Sequence, residues 1–321
     1  LITIRELFGQ RSPATQRAIL AEKNGFIDIH NSIPVDLEAL AKNFWAYRKQ
    51  LSQFNQLVKE QVVIDGRSPF IGIESELENV HLIPEEDPFC FPGWQLVGDG
   101  SLRDGKEFVS WPLLPKEIVS VVSSLFYGLS IFTKNNPNCS WRTSIHVHMD
   151  VQPLTLEQFG NLILLYLPFE QSLFNFSGKH RQESIFCVPI TTTEMFTTIN
   201  EILSAFLTPA KFERSILEWS KYSALNIGRL ADYGTVEFRH MEGTTDIERV
   251  LNWIKILLSL YRTAIGFSRE EILQQLSILN TSCAYAEFTN LVFKKEASLF
   301  GGAKETQAGI SKGVTFSKQV I

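Results

Sequence analysis

The chain has 321 residues, 44% of them apolar, and a formal charge of −5 without long acidic or basic blocks. It is long enough for one large domain or two small ones around a core of ordinary size, and it lacks the basic stripe of a nucleic-acid binder. The apolar stretch from Ile118 to Phe132 is broken by serines and falls short of the roughly 20 residues a membrane span needs, so neither a nucleic-acid nor a membrane partner is expected.

The opening LITIRELFGQR is too charged for a signal peptide, and the first sixty-odd residues read as helical. Pro34 suits a first helical turn, and Leu37, Leu40, Ala41, Phe44, Tyr47, Leu51, Phe54, Leu57 and Val58 follow near helical period. This helix is read as packing on its own domain, with a homo-oligomer or partner surface as the alternative. From Phe70 to Leu77 the period becomes two, which predicts a strand. Trp94 to Leu102 and Glu107 to Leu113 read as a hairpin closed by Asp104-Gly105. A helix is predicted over Pro115 to Phe132 and a strand over Thr143 to Val151. Thr155 with Gln158, Thr191 with Glu194, and Thr245 with Glu248 resemble capping boxes, the last ahead of a helix through Ile265. Thr208-Pro209 opens another helix running toward Leu225, and Gly234 to Met241 is the last clear strand. Strands and hairpins separated by long helices predict an α+β fold with a mostly antiparallel sheet. The expected division is an N-terminal helical extension over 1–65, a catalytic domain over 66–295 and a flexible tail over 296–321.

Side chains at i and i+2 of a strand share a face, about 7 Å apart. Glu74 and Glu76 therefore share one, as do His146 and His148, and Glu237 and Arg239. A solvated face also produces alternation, but such a face usually mixes in Lys, Thr, Ser and Gln. Converging carboxylates repel one another unless cations lie between them. Oxygen ligands suit Mg²⁺ or Mn²⁺, with an imidazole nitrogen tolerated best by Mn²⁺, and an adjacent Arg can stabilise a transferring phosphoryl group. There is no GxxxxGK[ST] and no GxGxxG, so an ATP site must be of another kind. His240 should point away from Glu237 and Arg239. The four cysteines, Cys90, Cys139, Cys187 and Cys283, form no CxxC pair, which suits free thiols in a reducing, cytoplasmic setting. Cys139 has no recognisable nucleophile context.

Taken in order, GIESELE (72–78), GDGSLRDGKEFVSWPL (98–113), SIHVHMD (144–150), KYSALNIGRL (221–230) and GTVEFRHMEGT (234–244) resemble the amidoligase family common in phages and bacteria. That family belongs with glutamine synthetase and glutamate–cysteine ligase. The resemblance implies a glutamine-synthetase-like catalytic domain, its antiparallel sheet curved around the active site with helices on the outer face. It implies an ATP- and Mg- or Mn-dependent carbon–nitrogen ligase that forms an amide or isopeptide bond through an acyl phosphate. The substrates would be a carboxylate and an amine, small or on a peptide or protein, and the setting would be the host cytoplasm if the chain is phage-encoded. Glu74, Glu76, Glu107, His146 and Glu237 are the implied metal ligands. His148, Arg229, Asn226 and Arg142 are the implied nucleotide- or phosphate-contacting positions, and Arg239 with Glu237 the catalytic pair. Two positions depart from the family pattern. Ser144 replaces a common Gly, and Trp111 precedes Pro112 where Ser-Pro is common, so Trp111 is expected to reshape the acceptor pocket. Asp99 is the candidate substitute for a second hairpin glutamate. The alternatives are a metal-dependent hydrolase and a non-catalytic interaction protein on the same scaffold.

Overall fold

The computed structural model describes residues 2–9, 52–57, 59, 68–82, 91, 93–134, 136–192, 196–203, 208–300, 310–311 and 314–315. Six strands form one sheet: β1 (Ile71–Glu78), β2 (Trp94–Val97), β3 (Gly105–Ser110), β4 (Ser144–Asp150), β5 (Leu225–Asn226) and β6 (Thr235–Glu242). The helices are α1 (Ile4–Phe8), α2 (Pro115–Phe132), α3 (Leu156–Ser177), α4 (Phe196–Leu203), α5 (Pro209–Leu217), α6 (Arg229–Tyr233), α7 (Ile247–Gly266), α8 (Arg269–Ile278) and α9 (Ser282–Phe293). The sheet is open, its order is β2-β3-β1-β4-β6-β5, and every pair is antiparallel. The fold is α+β, as the alternation of strands and helices predicts.

Period two divides each strand between two environments. Ile71, Ile73, Leu77, Phe108, Ile145, Val147, Met149, Val236 and Phe238 are all buried, and they face a helical layer in which α3 and α7 pack together. Tyr166, Phe169, Trp253, Ile254 and Leu257 from those helices belong to the same core. The helices start where local chemistry satisfies their first N–H groups. Thr155 and Gln158 form the expected capping box of α3, Thr208 caps α5, and α2 spans the predicted residues.

Several boundaries differ from expectation. β2 ends at Val97 rather than Leu102 because Asp99 turns the chain, its Oδ1 accepting from Ser101 N at 2.7 Å and its carbonyl from Leu102 N at 3.3 Å. α5 stops at Leu217, since the following segment folds back so that Trp219 Nε1 donates to Leu225 O at 3.0 Å, and Leu225 and Asn226 then pair with β6. The cap of α7 is Asp246, one residue beyond Thr245, its carboxylate accepting from Arg249 N. Two helices, α8 and α9, were not anticipated, although Ser268 with Glu271 forms a full capping box and Thr281 caps α9. The apolar positions of α8 are sparser than those of α3 or α7, so its helical period is weak.

The helical pattern from Pro34 to Leu51, the Thr191–Glu194 box at Glu194, and the extension boundary at 65–66 lie outside the described residues. Ile4, Phe54 and Leu57 are buried in the same cluster as the sheet, and so are Phe300, Ile310 and Val314. Trp111 also lies in this core, 2% exposed, and Pro112 rather than Trp111 reaches the pocket described below. The indole stacks into the apolar layer because it has far more apolar surface to bury than its short neighbours.

Candidate active site

The sheet face opposite the helices gathers the ionisable residues, and strand register decides which of them meet. Gly72, His148, Glu237 and Asn226 stand on one rung across β1, β4, β6 and β5. Glu74 and His146 form the next rung, and Glu76 and Glu107 the one beyond. A Cβ on Gly72 would lie 3.3 Å from His148 Cβ, closer than side chains normally sit; glycine there lets the imidazole lean over β1.

Two clusters result. In the first, Glu74, His146 and Glu237 each offer a ligand atom within 4.8 Å of the others; in the second, Glu76, Asp99 and Glu107 do the same. His146 Nδ1 is 3.0 Å from Glu74 Oε2 and 3.4 Å from Glu237 Oε1. His148 Nε2 is 3.1 Å from Glu74 Oε1, and its Nδ1 lies 3.1 Å from Thr235 Oγ1. Glu237, 1% exposed, accepts from Asn226 Nδ2 at 2.7 Å, pairs with Arg239, and has Arg229 Nε at 3.5 Å. Ser144 Oγ joins the clusters, 2.6 Å from Glu76 Oε2 and 2.8 Å from His146 Nε2.

The electrostatics of the two clusters differ. Burial pushes the Glu74 carboxyl upward, but His148 and His146 outweigh it and hold the group well below the usual range. Glu237 behaves similarly, with burial opposed by His148, His146 and Arg239. Burial would lower His148, yet Glu74 and Glu237 raise it. In the second cluster burial, then the charges of Glu74, Glu76 and Asp99, lift Glu107 to about 7, and Arg239 opposes the rise only weakly. Crowded carboxylates with one member pushed to neutrality form a donor set that a divalent cation would relieve. On the chemistry of these donors, both clusters fit Mg²⁺ or Mn²⁺.

Arg239 is held from two sides. Its Nε donates to Phe186 O at 3.2 Å, and its own carbonyl accepts from Arg181 Nη2 at 3.1 Å. The loop bearing Phe186 is anchored by the buried Glu170 of α3, which accepts from Ile190 N, Thr191 N, Thr191 Oγ1 and Tyr166 Oη at 2.6–2.9 Å. Tyr166 Oη in turn lies 2.9 Å from His240 Nε2, closing a circuit at the neighbour of Arg239. His240 faces the core, in ring contact with Phe174 and Trp253, away from Glu237 as expected. A bulge where β4 passes from Ile145 to Val147 leaves both His240 and Met241 in the core and returns Glu242 to register opposite Ser144.

A pocket of about 270 Å³ opens beside the first cluster, bounded by Phe70, Glu74, Val109, His148, Asp150 and Arg229, among others. Arg142, by contrast, stacks on Trp141 and donates to Ser101 O at 3.0 Å, so it sits against the β2–β3 loop and does not border this pocket. Burial, then Glu242, raises the Cys139 thiol to about 11, which disfavours the thiolate. Sequence reasoning singled out the paired residues but not Thr235 or the bridging role of Ser144. Thr235 stands two places before Glu237, so the same alternation could have found it.

An open antiparallel sheet, backed by helices on one face and lined on the other by carboxylates, imidazoles and guanidinium groups, defines the class: an α+β protein with an acid- and imidazole-rich candidate active face. Residues 91–261, more than half of the chain, match the family described as "Putative amidoligase enzyme", and the chain belongs to that family. Glu107, His146, His148, Asn226, Arg229, Glu237 and Arg239 lie inside the matched segment, and Glu74 and Glu76 precede it. No curated protein matches the chain. Among the described residues, no helix is long and apolar enough to cross a membrane.

Proposed function

We propose that this amidoligase-family chain is an ATP-dependent carboxylate–amine ligase working through an acyl phosphate, as the resemblance of its motifs to a family that belongs with glutamine synthetase and glutamate–cysteine ligase implies. The observation that carries the reading is the convergence of Glu74, His146 and Glu237 within 4.8 Å, beside a second carboxylate trio. Divalent cations held by these two trios would neutralise phosphate charge and supply Lewis acidity.

The protein's own groups divide the remaining work. His148 and Arg229 border the pocket beside the first cluster and suit the phosphates of a bound nucleotide. Asn226 and Arg239 orient the Glu237 carboxylate. Arg239, held by the Phe186 carbonyl, faces the transferring phosphoryl group and later the acyl phosphate. A substrate carboxylate oxygen attacks the γ-phosphorus and ADP leaves. The amine then attacks the acyl carbon, phosphate leaves with one former carboxylate oxygen, and the amine loses a proton to solvent. Fixed charges aligned with charge that develops during reaction are the main source of acceleration.

The test is ADP formation with Mg²⁺ that requires both a carboxylate and an amine, with ¹⁸O passing from a labelled carboxylate into phosphate. Label transfer supports the acyl phosphate. Full turnover in Glu74→Gln or Glu237→Gln overturns the assignment. Metal-dependent cleavage of an ester or amide without nucleotide would identify a hydrolase, and silence toward Mg-ATP in calorimetry a non-catalytic scaffold.

A further inference from the structure

The Ser144 hydroxyl is buried between the two clusters, at 3% exposure, within 2.6 Å of Glu76 Oε2 and 2.8 Å of His146 Nε2. A hydroxyl has one hydrogen, and an ionised carboxylate only accepts. The Ser144 hydroxyl donates to Glu76 Oε2, so its oxygen lone pair must accept from His146 Nε2–H. Among the described residues, Ser144 is the group bonded to that nitrogen. Nε2 is thus committed to Ser144, and Nδ1, which faces Glu74 Oε2 and Glu237 Oε1, is the ring atom placed to bind a cation.

We propose that Ser144 is a positioning residue that commits His146 to cation binding through Nδ1 and couples the Glu74–His146–Glu237 cluster to the Glu76–Asp99–Glu107 cluster. The inference rests on the metal-dependent reading above. A cation among Glu76, Asp99 and Glu107 would fix the position of the Glu76 carboxylate that receives the Ser144 hydrogen, and with it the hydrogen bond from His146 Nε2–H to the Ser144 oxygen. That arrangement favours the second cation, and by linkage each ion promotes the other. Groups that orient a ligating histidine through its distal nitrogen commonly affect metal affinity by about 10–100-fold.

Mn²⁺ titration of the full chain, followed by the electron paramagnetic resonance of free Mn²⁺, tests this in the native protein and in Ser144→Ala. The native chain should take up two ions cooperatively. Ser144→Ala should bind the ion of the His146 cluster about 10–100-fold more weakly and without cooperativity. An unchanged isotherm in a folded Ser144→Ala overturns the proposal. Nitrogen NMR of His146 in the Mg²⁺-loaded native chain, assigned by its loss in His146→Gln, decides independently if the variant fails to fold. A protonated Nε2 supports the proposal, and a protonated Nδ1 overturns it. Absence of any Mn²⁺ uptake by the native chain would overturn the metal-dependent reading itself, an outcome distinct from equal binding by both proteins.

Discussion

Glu74 Oε2 lies 3.0 Å from His146 Nδ1, although the two residues are 72 positions apart in the chain. β1 and β4 are neighbours in the sheet, and their register sets Glu74 directly across from His146. Glu237 completes the group from β6 on the other side of β4, so three strands from distant parts of the chain meet at one point.

Replacing Glu237 with Gln keeps its shape and removes its charge. The Asn226 contact can survive, while the cation cluster loses one of its two carboxylates. Turnover should fall by about 100-fold or more, and Mn²⁺ binding should weaken in the same variant. Calorimetry alongside steady-state assays checks both.

Asp99→Asn separates the loop's shape from its charge. An amide oxygen can still accept from Ser101 N, so the turn that brings position 99 to Glu76 and Glu107 should persist. Mn²⁺ stoichiometry is expected to drop from two to one without loss of thermal stability. Retention of both ions would remove Asp99 from the ligand set.

Glu107 links cation binding to pH. With its carboxyl at about 7 in the metal-free protein, it is protonated below that value and must release the proton to become a ligand. Affinity at the second cluster should therefore rise as pH increases toward 7 and flatten above it. Calorimetry at pH 6 in buffers of different ionisation enthalpy should report proton release, which Glu107→Gln abolishes.

His240 makes the fold acid-sensitive. Burial, then the nearby Arg181, depresses it to about 3, below the roughly 6.5 of the unfolded chain. The unfolded state thus takes up the proton first as pH falls. Its stabilising contribution is intact above about 6.5 and is lost at roughly 1.4 kcal/mol per pH unit down to about 3. Urea unfolding between pH 7 and 4 should show this slope, and His240→Phe should reduce it.

Glu170 serves four donors, two of them backbone N–H groups of Ile190 and Thr191. Glu170→Ala leaves those donors without their acceptor and should cost about 3 kcal/mol in urea unfolding. Thr191→Val removes a single donor and should cost about 1 kcal/mol. Both changes loosen the loop that presents the Phe186 carbonyl to Arg239, so turnover should fall in the order Glu170→Ala below Thr191→Val below native.

Local chemistry was enough to pair Glu74 with Glu76, His146 with His148 and Glu237 with Arg239, because alternation along a strand depends on the backbone alone. The capping boxes and the full extent of α2 were legible for the same reason. The amino-acid order could not say that β1 lies between β3 and β4, or that the β4–β6 register sets His148 against Glu237. Those neighbours are chosen by burying one apolar face against α3 and α7, a property of the whole chain. Asp99 reaches its cluster only because the β2–β3 loop folds back, and Ser144, which alternation along β4 already sets beside His146, bridges the clusters only because strand order brings Glu76 to its other side. Contacts between residues far apart in the chain are settled by collective packing, so the chemistry of the active face was written locally and its geometry was decided by the tertiary fold.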